Sequence, residues 1–182
     1  MTVQNEYKNN HYVPEWYQKR FILPEQKANE LYYLNLNPGE FKDPRGITHP
    51  KKALYRQGFG HCFSEDDLYT ARFGPMESKD IEKYFFGDID HRGRRAVDYF
   101  TNFAHPSVDG ETFQDLMMYM STQKLRTPKG LGWLGQKTGL SEQNEILNWM
   151  IRLRQLHCAI WTECVWLIAD ASQSAIKFLI SD

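Results

Sequence analysis

A chain of 182 residues that is 41% apolar and 25% charged is long enough to bury one core without disulfide or metal staples. Its 22 basic and 23 acidic residues nearly cancel, which excludes a whole-surface field that would draw nucleic acid or anionic lipid; such a partner would have to be met by a local patch. The cysteines Cys62, Cys158 and Cys164 are odd in number and show no CxxC spacing, so neither a disulfide framework nor a thiolate zinc site is expected, and a reducing cytoplasmic setting fits. The polar opening MTVQNEYKNN is not read as a signal peptide. The most apolar run, AIWTECVWLIADA, is interrupted by Glu163 and ends at Asp170, so no membrane span or membrane partner is expected.

In chain order, the first information-dense segment is HYVPEWYQKRF, His11 to Phe21. Val13 precedes proline and should be extended, while Pro14 suits the first position of a short helix carrying Trp16, Tyr17, Arg20 and Phe21. A helix this short needs tertiary support, so it should clip onto the domain, with Trp16 and Phe21 burying most of their area. Leu31 to Asn37 alternates like a strand, and Asn37-Pro38-Gly39 supplies a turn. Residues 43 to 60, rich in proline, glycine and basic side chains, read as a loop or irregular edge. The stretch GHCFSEDDLYTARF suggests two short strands, one around Cys62 and Phe63 and one from Leu68 to Phe73.

From Ser78, a potential cap, the period becomes helical through Ile81, Tyr84, Phe85 and Ile89 and resumes at Val97, Phe100 and Phe103 or Ala104. This predicts one long helix with weak points at Gly87 and Gly93, or two that meet near Gly87, ended by His105-Pro106. A second helix should start near Asp109, carry Phe113, Leu116, Met117 and Met120 on one face, and stop by Thr127. Lys129 to Gly139 holds four glycines and reads as a loop. Ser141 can cap a third helix with the stripe Ile146, Leu147, Met150, Leu153, His157 and Ile160. CVWLIADA and KFLIS then read as a β-hairpin. Strands, then about three helices, then strands predict one α+β domain over residues 1–182.

Several residues carry potential chemistry. His11 is a candidate base or ligand, although a single histidine beside a helix start more often satisfies local carbonyls. The acidic run Glu65-Asp66-Asp67 offers oxygen ligands without EF-hand spacing. In GDIDHRGRR, Asp88 and His91 share a helix face at i, i+3 and form a candidate two-ligand metal site, while Asp90 points elsewhere; the plainer reading is a solvated face paired with Arg92, Arg94 and Arg95. The same arginines are a weak phosphate-binding signal. Arg126, with Gln123 and Thr127, closes a helix before a proline stop; it suits either bidentate binding of a carboxylate or anion, or simple complementation of the helix end. The cysteines read as small buried hydrophobes. Nucleotide-binding, nucleophile-elbow, zincin and kinase motifs are absent, so a divalent metal is the cofactor class left open.

HYVPEWYQKRF, CFSEDDLYT, STQKLRTPKGL and KFLISD, in that order, resemble a bacterial family known as domain of unknown function 4238. Its Ser-Asp motif is followed by further residues, whereas here Ser181-Asp182 are the last two. The resemblance implies that His11, Tyr12, Pro14, Arg126, Ser181 and Asp182 are positions of interest, and that the fold would normally continue past Asp182. The leading expectation is therefore a metal-dependent hydrolase or nuclease in which His11, Arg126 and Asp182 converge on a pocket. The alternative is a non-catalytic binding or structural module with a buried polar network that fixes the N-terminal clip. Self-association through the edge of the C-terminal strand is a further expectation.

Overall fold

The structure is a computed structural model that describes residues 8–23, 25–26, 29–102, 109–171, 173–175 and 179–180. It is a mixed α+β fold in which short antiparallel strand pairs precede a helical layer. The strands are β1 (Asn9–His11), β2 (Glu30–Leu34), β3 (Glu40–Lys42), β4 (Thr48–Pro50), β5 (Leu54–Gly58), β6 (Ser64–Asp66), β7 (Ala71–Phe73) and β8 (Met76–Ser78). They pair as β1 with β6, β2 with β5, β3 with β4, and β7 with β8. Cross-strand side chains explain β2 and β5: Tyr33 and Tyr55 meet with ring centroids 5.4 Å apart, while the neighbouring pair sets Arg56 over the Tyr32 ring at 5.3 Å. Two strands thus arise in the region read as an irregular edge, because β5 takes its support from a partner more than twenty residues earlier.

The helices are α1 (Glu15–Gln18), α2 (Gly87–Thr101), α3 (Gly110–Leu125), α4 (Pro128–Thr138) and α5 (Gln143–Thr162). A π-helical segment, Ile81–Phe86, runs directly into α2, so the junction falls at Gly87 as its weak helix propensity suggested. Asp109 caps α3, its carboxylate accepting from the Thr112 amide at 2.8 Å. The stretch read as a glycine loop is instead α4. Thr127 caps it by accepting from the Gly130 amide at 3.0 Å, Pro128 occupies its first turn, and Gly139 closes it at φ +73°. Gly130 serves packing: a Cβ on it would lie 2.6 Å from the Leu125 carbonyl oxygen. Gly93 acts alike in α2, where a Cβ would lie 2.6 Å from the Tyr119 ring of α3. Close approach of helices, not chain flexibility, is what these glycines provide.

The main core joins Tyr12, Val13, Cys62, Phe63, Tyr69 and Phe86 to Leu125, Leu134, Leu147 and Met150, and a smaller cluster of Ala96, Phe100, Leu116 and Met117 sits between α2 and α3. Phe63 holds φ +52°, a conformation that costs an L residue about 1 kcal/mol, while its carbonyl accepts from the Tyr12 amide at 2.9 Å. The clip differs from expectation in its details. Tyr12, Val13, Pro14 and Gln18 are the buried residues, whereas Trp16 and Phe21 are half-buried, with Trp16 resting on Tyr119 at 5.4 Å. On α5 the buried positions are Leu147, Met150 and Arg154, and Ile160 is exposed.

The expected C-terminal hairpin is not formed among the described residues. After α5 the amides of Glu163 and Cys164 bond back to Ile160 and Trp161, and the Trp166 indole donates to the Trp161 carbonyl at 2.6 Å. These bonds fold the chain back over the helix end instead of straightening it, so 165–171 is irregular with Val165 and Leu167 fully exposed. The strand edge proposed for self-association, that of KFLISD, falls mostly outside the described residues. Ile176, Lys177, Phe178, Ser181 and Asp182 lie outside the described residues. Among those described, no helix is long and apolar enough to cross a membrane.

Candidate functional site

Three segments distant in sequence meet around one guanidinium. Arg126 sits at the C-terminal end of α3, 1% exposed, with its backbone amide bonded to the Thr122 carbonyl at 3.0 Å. Its Nε donates to the Tyr12 carbonyl at 3.1 Å and the Gln123 side-chain oxygen at 3.0 Å. Nη1 donates to Asp90 at 3.0 Å, and Nη2 makes an ion-pair contact with the other Asp90 oxygen at 2.9 Å, without the angle of a hydrogen bond. The Phe86 ring lies beneath, 5.4 Å from the guanidinium carbon. Gln123 donates to the same Tyr12 carbonyl at 2.6 Å, and Tyr69 donates its hydroxyl to the Arg126 carbonyl at 2.6 Å.

The hub ties the clip down from both sides. Buried Gln18 donates to the carbonyls of Val13 at 2.7 Å and Cys62 at 3.2 Å, and Asn10 accepts from the Tyr69 amide at 3.2 Å. Both readings of Arg126 therefore have a part: the residue ends its helix, and its side chain forks onto a carboxylate, which belongs to the chain itself. Asp90 escaped the sequence reading because it stands in a charged run. A signal was present, since Asp90 lies on the stripe of Phe86, Ile89, Gly93 and Ala96 that α2 buries.

Burial pushes the Asp90 carboxyl above its usual range, while the charge of Arg126 and its hydrogen bond oppose the rise. Glu82, in the π-helical segment, is raised to about 7, first by burial, with Arg126 opposing and Asp90 adding to the rise. One of its oxygens is buried without a hydrogen-bond partner among the described residues. Burial likewise raises the phenols of Tyr69 and Tyr119.

The other candidates lie elsewhere. His11, half-buried in β1, donates from Nε2 to the Phe59 carbonyl at 3.0 Å, whereas the Arg126 side chain is bonded to Tyr12, Gln123 and Asp90. Asp182 lies outside the described residues. Asp88 and His91 do share the exposed face of α2, where Asp88 pairs with Arg92 at 3.1 Å. Among the described residues no group of three or more histidine, cysteine, aspartate or glutamate side chains is placed to hold a metal ion. In the acidic turn, Asp66 pairs with Lys8 and Asp67 with Lys79, both at 3.5 Å. Cys62 is buried, its thiol pushed up to about 11 by burial, and Cys158 is half-buried, whereas Cys164 is exposed, contrary to expectation.

A cleft of about 630 Å³ opens beside the hub, between Tyr17 of the clip, the end of α3, the start of α4 and His157 of α5. Gln123 and Thr127 line it, so residues on either side of Arg126 reach open space while Arg126 does not. His157, placed on an apolar stripe by its spacing, is half-buried here, its pKa lowered first by burial and then by Lys124. No protein-family model, curated protein or solved structure matches the chain.

Proposed function

We propose that this domain is a non-catalytic binding module, in which a buried hub around Arg126 fixes the N-terminal clip as one wall of a ligand cleft. One observation carries the reading: Arg126 is 1% exposed and each of its guanidinium nitrogens contacts an oxygen of the chain, while the cleft beside it is open. The resemblance to the family of domain of unknown function 4238 belongs to the same proposal. It is supported by the meeting of HYVP, SEDDLYT and QKLRTP at this hub. Three free thiols, one fully buried, suit a reducing compartment.

The hydrolase or nuclease reading keeps one observation in its favour, a Glu82 carboxyl near 7, in the range useful for general acid–base chemistry. Metal analysis with a nuclease and phosphatase screen separates the two, using wild type, His11→Ala and Glu82→Gln. A binding module gives no stoichiometric metal and no turnover above background. Turnover that is lost in His11→Ala or Glu82→Gln would overturn it.

A further inference from the structure

The cleft is asymmetric in a way that specifies an occupant. Its broad surfaces are aromatic, with Tyr17 and Tyr119 on one side and Trp133, nearly half exposed, on the α4 side. Its charged lining residues are Lys124, at the end of α3, and Lys129, in the first turn of α4; among the described residues no carboxylate lines it. Neither lysine pairs with a carboxylate among the described residues, and Lys124 instead stands over the Trp161 ring at 5.9 Å. The positive end of the α4 dipole lies at the same mouth. Tyr119, only 4% exposed, adds a buried hydroxyl without a hydrogen-bond partner among the described residues, and His157 adds a buried Nδ1 in the same state.

We propose that this cleft binds a small molecule built from a planar aromatic body and one anionic group, a carboxylate or a phosphate. The inference rests on the binding-module reading and gives its ligand a chemical class. The aromatic body packs among Tyr17, Tyr119 and Trp133, where flat apolar area leaves water. The anion sits between Lys124 and Lys129, which replace its water with two charge-assisted donors. A volume of about 630 Å³ is within the range of small-molecule pockets and holds a fused two-ring compound with room to spare. Charge complementarity selects this occupant over a neutral or cationic one, because a cation would meet two lysines with nothing to neutralise it.

The test uses the whole chain and four probes sharing one ring system: 1-naphthoate, 1-naphthyl phosphate, 1-naphthalenemethanol and 1-naphthylmethylammonium. Titration calorimetry supplies affinities, and quenching of tryptophan fluorescence reports ring contact. At least one anionic probe should bind about tenfold or more tighter than the neutral one, and the ammonium compound should bind weakest. The stronger of the two anions identifies the carboxylate or phosphate source. Lys124→Gln with Lys129→Gln, both at exposed positions, should erase the preference for the anion while leaving neutral-probe affinity within about twofold. Trp133→Ala should weaken every probe. Equal binding of neutral and anionic probes, or a preference that survives the double lysine change, overturns the anion assignment and leaves the cleft as a binding site. No binding of any probe by folded wild-type protein overturns the assignment and the binding-module reading together.

Discussion

Arg126 and Lys124 lie two residues apart at the end of one helix, yet they face opposite environments. Arg126 is enclosed, forked onto Asp90 and set over Phe86, whereas Lys124 stands at an open cleft over Trp161 with no acid beside it among the described residues. Both are cations over aromatic rings, so residue type alone does not separate them. Burial and the presence of an internal counter-ion do: the first cation is committed to the fold, and the second stands exposed at the cleft.

The largest expected effect breaks the enclosed side. Arg126→Met leaves Asp90 buried without its counter-ion and should cost about 3 to 5 kcal/mol in urea unfolding, whereas Lys124→Gln should change stability by less than about 0.5 kcal/mol. Equal effects would erase the contrast.

Glu82 sharpens the same contrast through pH. Its folded pKa of about 7 lies above the ordinary 4.5, so the native state holds this proton more tightly than the unfolded chain. The stability it contributes is full below pH 4.5 and is lost as pH rises to about 7. The loss amounts to about 2 to 3 kcal/mol. Glu82→Gln should therefore raise the stability measured at pH 8 and leave that at pH 4 nearly unchanged. A wild-type stability as high at pH 8 as at pH 4, with no gain from the substitution, would count against it.

Smaller effects follow at the rim. Trp16 is half-buried against Tyr119, so Trp16→Ala should cost about 2 kcal/mol, less than a fully buried tryptophan. Tyr69→Phe removes the hydroxyl that satisfies the Arg126 carbonyl and should cost about 1 to 2 kcal/mol in the same unfolding assay.

What the sequence discloses of this arrangement is set by the range of the forces involved. Asp109 at the head of α3, Pro128 after its end and the junction at Gly87 are local signals, and each is legible. The α4 helix is not, because Gly130 reads as a helix breaker until the Leu125 carbonyl is seen pressed against it. The pairing of β1 with β6 joins residues more than fifty positions apart and leaves no local trace. Arg126 and Gln123 stand out as polar residues at a helix end before a proline stop. Of their partners, the Tyr12 carbonyl has no residue signature, and Asp90 is marked only by its place on the buried stripe of α2, masked by the charges around it. The expected C-terminal hairpin shows the opposite failure: CVWLIADA has strand composition, and Trp166 instead spends its indole donor on the end of α5.

The central claim is that Arg126 acts on the fold through Asp90 and not on a ligand or substrate. A double-mutant cycle of Arg126→Met and Asp90→Leu, followed by urea unfolding with 1-naphthoate affinity measured in parallel, tests it most directly. A structural pair predicts a double variant at least about 2 kcal/mol more stable than the sum of the single losses allows, since no buried charge is left alone, and naphthoate affinity within about threefold of wild type. Additive losses, or a stable double variant that no longer binds naphthoate, would contradict it.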